Sequence, residues 1–106
     1  MADRRARPRY LLSPPLLGLV SGPGFRPSVP AAALDLPAEG VGLYLTRAAA
    51  VGTVLCLELL DGPAALRRPL SLRVVYVRPD SGGYRLGGAF LRPLSAADLQ
   101  ALQAGP

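Results

Sequence analysis

A chain of 106 residues, half of them apolar, is long enough for one domain with a single modest core. Its 12 basic residues are all arginine and its net charge is +5, while histidine is absent and there is one cysteine. Those counts exclude an internal disulfide, a cysteine metal cage and the usual imidazole base or ligand. Glycine and proline, 12 of each, favour short strands joined by turns over long helices.

Residues 1–9 read as a flexible basic arm, with Arg4, Arg5, Arg7 and Arg9 close together. Such a cluster suits an anionic partner, because a guanidinium grips phosphate with two hydrogen bonds and stacks on a base; the plainer alternative is a solvated tail. The basic-then-apolar start resembles a secretion signal, but Pro14 and Pro15 would break its helix. No stretch is long enough to span a membrane as a helix. A cytoplasmic protein with no membrane insertion is expected.

Residues 10–106 read as one domain. Tyr10 to Val20 predicts a first strand, irregular at its prolines, and Ser21 to Pro30 a loop. A short strand over Ala31 to Leu36 follows. Val41 to Thr46 and Thr53 to Leu60 predict two strands forming a hairpin across a connector containing Gly52. Cys56 is expected as a small buried hydrophobe. Asp61-Gly62-Pro63 marks a turn, and Arg67 and Arg68 follow it in a loop that leaves them solvated. In the strand Leu70 to Arg78, strict alternation places Leu70, Leu72, Val74 and Tyr76 on one face. Pro79 to Gly83 turns the chain, and Tyr84 to Leu91 returns with Gly87-Gly88 as a bulge or a close backbone approach. The tyrosines are read as barrel packing. Ser95 and Asp98 have capping-box spacing before a helix of about Ala96 to Gln103, whose Leu99 and Leu102 face the barrel rim.

Two short patterns stand out: Arg5-Ala6-Arg7-Pro8-Arg9 ahead of the first strand, and Asp35-Leu36-Pro37-Ala38-Glu39-Gly40 ahead of the third. With the Val51-Gly52-Thr53 turn, the Gly87-Gly88-Ala89-Phe90 strand and the closing helix, their order resembles the PilZ domain family from about Arg4 to Gln103. The resemblance implies an all-β, six-stranded antiparallel barrel with a short C-terminal α-helix that serves as a receptor for cyclic di-GMP. It implies that Arg5 and Arg9, flanked by Arg4, hold the phosphates and the guanine edge. Asp35 would accept hydrogen bonds from a guanine, with Pro37 and Gly40 completing the loop. Guanine's paired O6 and N7 acceptors match an arginine fork, and its N1–H and N2–H suit a carboxylate. Pro37 stands where the family has serine, so a hydroxyl and a backbone N–H are lost. That departure keeps a second reading open: a PilZ-like adaptor that binds a protein effector and no nucleotide. Six aromatic residues are few for a nucleic-acid polymer reader. Asp35 and Glu39, on one short loop without a nucleophile or histidine, make no acid/base pair, so no catalytic residue and no metal ligand are assigned.

Overall fold

The structure is a computed structural model that describes residues 11–36 and 39–104. Its strands are β1 (Leu11–Gly22), β2 (Phe25–Asp35), β3 (Gly40–Leu45), β4 (Val54–Leu59), β5 (Leu70–Asp80) and β6 (Gly83–Phe90). A single 3-10 turn (Ala64–Leu66) precedes β5, and helix α1 (Ala96–Ala104) follows β6. The strands close into a barrel in the order β1-β2-β3-β6-β5-β4, with every neighbouring pair antiparallel. Closure gives every strand a neighbour on each side and leaves no strand as a free sheet edge, the feature that invites aggregation.

Alternation along the strands builds the core. Val41, Leu43 and Leu45 of β3 meet Gly88, Leu86 and Tyr84 of β6, while Leu55 and Leu57 of β4 meet Leu72 and Leu70 of β5. Val20, Leu43, Leu57, Leu72 and Leu86 have no solvent exposure. Burying each such side chain contributes roughly 1.5–3 kcal/mol relative to leaving it in water.

The expected β3–β4 hairpin does not form. β3 pairs with β2 and β6, and β4 pairs with β1 and β5. The segment from Thr46 to Thr53 is too long for a tight hairpin turn and crosses one end of the barrel instead. Arg47, at its start, donates to the Gly24 carbonyl at 2.8 Å and lies over the Phe25 ring, tying the crossing to the β1–β2 turn.

Nor is Ser21 to Pro30 a loop. Gly22 pairs with Phe25 across a two-residue turn, and β2 runs through Pro27 and Pro30. The β2–β3 ladder begins only at Ala31, so this part of β2 is paired on one side and tolerates residues without an N–H. The irregularity expected at Pro14 and Pro15 is a register shift between Leu11 and Leu16. Cys56 pairs with Ser21 and Ser71 on the outer face and is half-buried, which corrects its assignment to the core.

At the far end of the chain, the capping box forms as expected. The Asp98 N–H donates to the Ser95 hydroxyl at 3.1 Å, and the Ser95 N–H donates to the Asp98 carboxylate at 2.9 Å. Leu99 and Leu102 pack against the core. Arg68 is not simply solvated: its guanidinium bonds Asp98 at 3.0 Å and also reaches the Ala65 carbonyl, pinning α1 to the 3-10 turn. Those bonds, with the Ser95 N–H next, lower the Asp98 carboxyl below the usual carboxylate range.

Candidate functional site

Asp35 ends β2, and plain alternation would put it on the inner face with Ala31 and Ala33. The register forbids this: Ala33 pairs with Leu43, and Asp35 pairs with Gly42, so one strand advances two residues while the other advances one. The extra residue, Leu34, makes a bulge that turns Asp35 onto the outer wall. There its carboxylate lies against the Gly42 backbone, so close that a Cβ on residue 42 would overlap it. Only glycine leaves the carboxylate that place.

A second bulge faces the first. Val74 pairs with Gly88 and Tyr76 with Gly87, leaving Val75 as the extra residue of β5. Tyr76 therefore leaves the row of Leu70, Leu72 and Val74, which corrects the expected shared face. Its ring covers Gly87, where a Cβ would overlap it. Gly42 and Gly87 are direct cross-strand partners. The outer wall thus carries one continuous row, Asp35, Gly42, Gly87 and Tyr76, in which the carboxylate lies over the first glycine and the aromatic ring over the second.

The result is a small open hollow of about 70 Å³ lined by Asp35, Gly40, Gly42, Val75, Tyr76 and Gly87, with Val41 and Gly88 beneath. Gly40 pairs with Ala89, and a Cβ on it would strike the Gly88 carbonyl, so the end of the loop lies flat on β6. The Phe90 N–H donates to the Glu39 carbonyl at 2.6 Å and fixes that loop end. One register along the same wall, Arg78 faces Arg85 directly. Like charges so placed are destabilising and give this side of the barrel a positive field that draws anions.

Of the residues singled out in the sequence, Asp35 and Gly40 meet at this hollow. Arg4, Arg5, Arg9 and Pro37 lie outside the described residues. The described chain begins at Leu11, directly across the ladder from Asp35. Tyr76, Gly42 and Gly87 were not picked out as site residues. The paired glycines in two strands were the available signal, but alternation alone could not show that they align. A larger groove of about 430 Å³ lies between Arg68, Ser71, Phe90 and Arg92. It contains no carboxylate. Among the described residues, no group of histidine, cysteine, aspartate or glutamate could hold a metal ion. None of their helices is long and apolar enough to cross a membrane.

A closed six-stranded antiparallel barrel with a short C-terminal helix is a PilZ-like fold. No family model and no curated protein matches the sequence. Solved structures do. The Bacillus subtilis inhibitor of motility, MotI/DgrA, superposes with a TM-score of 0.70 at 14% identity over 97% of this chain and 50% of that one. This chain therefore spans about half the length of that protein. The PilZ domain of Escherichia coli YcgR, solved with c-di-GMP, superposes with a TM-score of 0.69 at 20% identity over 95% of this chain and 87% of that one. At these identities the likeness is one of fold: this chain is built as a PilZ-like barrel.

Proposed function

We propose that the domain is a receptor for cyclic di-GMP that acts by binding and has no catalytic step. The observation that carries this reading is the outward turn of Asp35 onto Gly42, beside the point where the arginine arm joins the barrel. A carboxylate held there accepts N1–H and N2–H of a guanine, a charge-assisted pair of bonds. Arg9 stands two residues before Leu11, the ladder partner of Asp35, and is assigned to the guanine edge on this reading. Arg5, four residues further out, has the reach to fold over the opposite side of a ligand and meet its phosphates. Arg4 and Pro37 are the further residues that the PilZ resemblance assigns to the ligand. The solved YcgR domain with c-di-GMP, which shares this fold, supports the choice of ligand.

On this reading, the ligand joins arm to wall and so changes the surface shown to a protein effector. On the same reading the receptor acts in the bacterial cytoplasm, where it meets its messenger.

Isothermal titration of cyclic di-GMP into the full chain tests the proposal. Saturable binding that is weakened at least tenfold by Arg5→Ala, Arg9→Ala and Asp35→Ala is expected. Absence of heat at a few hundred micromolar, or binding indifferent to all three substitutions, refutes it. In that case the adaptor reading, protein binding without nucleotide, takes its place.

A further inference from the structure

We propose that the groove between the start of β5 and the end of β6 is a docking site for an acidic segment of a partner protein, one that brings an apolar side chain flanked by carboxylates. The inference goes beyond the receptor reading and does not depend on it. The groove holds about 430 Å³, is open on its outer side, and is lined by Arg68, Leu70, Ser71, Phe90, Leu91 and Arg92 together with Pro69. Its apolar side stands on paired backbone. The Leu91 N–H donates to the Ser71 carbonyl at 3.0 Å, and the Phe90 N–H to the Glu39 carbonyl. Leu70 and Phe90 are buried beneath it, whereas Leu91 is 52% exposed. A large apolar side chain held out in water by a fixed strand end meets a partner at little ordering cost.

The cations set the partner's charge. Arg68 is braced by Asp98 and by the Ala65 carbonyl, yet its side chain remains 47% exposed. Bracing presets the guanidinium, so less side-chain freedom is lost when a further acceptor meets it. Arg92 is exposed and has no ion pair with a carboxylate among the described residues. Exposed Arg67 and Arg73 extend the positive charge beyond the lining. Complementarity therefore asks for carboxylates against the arginines and an apolar group against Leu91, and arginine beside apolar area is the usual make-up of an interface centre. Because the barrel is closed, a partner cannot add a strand to an edge and must engage side chains instead. A nucleic acid fits less well: Phe90, the one aromatic in the lining, is buried and offers no face for stacking. The plain alternative is two solvated arginines beside an ordinary exposed leucine.

Selection of random phage-displayed peptides against the full chain, without nucleotide, separates the two. Enrichment of sequences with Leu, Ile or Phe flanked by Asp or Glu is expected. The selected peptides, synthesised and titrated, should bind roughly tenfold or more weakly to Leu91→Ser and to Arg92→Ala. Both positions are exposed, so ligand-free melts should show both variants folded. Charge reversal supplies a gain of function: Arg92→Glu should bind lysine-substituted versions of the peptides better than the originals. The double variant Arg5→Ala, Arg9→Ala should keep peptide affinity within about threefold of wild type, since the groove does not include the arm. No enrichment of acidic peptides, or binding that follows the arm and ignores Leu91 and Arg92, overturns the inference and leaves the receptor reading standing. Oligothymidylate binding that depends on Arg92 but not on Leu91 would assign this face to nucleic acid and also overturn it.

Discussion

Gly42→Ala is the substitution that most directly probes the site's construction. Ordinarily alanine in a strand interior is favoured over glycine by about 0.5–1 kcal/mol, through reduced freedom of the unfolded chain. Here the added methyl would occupy the place of the Asp35 carboxylate, which is itself only 8% exposed. Asp35 must swing off the wall. Overpacking of this kind costs roughly 1–3 kcal/mol, so the net loss is about 1–2 kcal/mol. For a domain of this size, that lowers Tm by about 4–8 °C per kcal/mol. Binding suffers separately: one hydrogen bond to a charged acceptor is worth about 1.5–3 kcal/mol, or roughly a 10- to 100-fold rise in Kd. The decisive measurement is a double-mutant cycle by chemical denaturation, without ligand, over Asp35→Ala, Gly42→Ala and the double variant. Removing the carboxylate should relieve the strain, so the double variant should be more stable than additivity allows by about 1–2 kcal/mol. Additive losses, or a Gly42→Ala chain as stable and as tight-binding as the wild type, would refute the placement of Asp35 on Gly42.

The Arg68–Asp98 pair predicts a pH dependence. Because the folded state lowers the Asp98 carboxyl, its contribution is present above the unfolded value near pH 3.9 and is lost as pH falls through the lower folded value. Thermal melts from pH 7 to pH 2 should show wild type and Asp98→Asn converging below about pH 4, with a gap that stays constant above it. Leu86→Ala, at a site with no solvent exposure between β3 and β5, should cost about 2–5 kcal/mol in urea titrations. The β5–β6 turn holds Ser81 at φ 48° and Gly82 at φ 81°, a conformation that asparagine before glycine adopts more readily than serine does. Ser81→Asn should therefore raise stability by about 0.5–1 kcal/mol in the same assay and leave nucleotide titrations unchanged.

Much of the barrel was legible in the residues. Alternating Val, Leu and Tyr located β3 to β6 within a few positions, and the Ser95–Asp98 spacing located the start of α1. The order of basic arm, Asp35 loop and paired-glycine strand carried the PilZ resemblance that the fold bears out. Where the reading failed, it failed for non-local reasons. Ser21 to Pro30 is rich in breakers, yet it pairs because β1 alone supports that half of β2. Val41 to Thr46 and Thr53 to Leu60 are consecutive strands, yet barrel closure places other strands between them. Arg68 looked solvated until α1 brought Asp98 alongside it.

The amino-acid pattern by itself located β1, β3 to β6 and the start of α1 within a few residues, and picked out an acidic loop and an arginine arm. Tertiary structure decided which way Asp35 and Tyr76 point. Side-chain alternation has a period of two, so a single extra residue reverses every position beyond it. Whether Leu34 and Val75 are extra depends on what lies across the ladder, and β3 and β6 come into register only when the barrel closes. The placing of a carboxylate and an aromatic ring over two cross-strand glycines on one wall is therefore a property of the closed sheet.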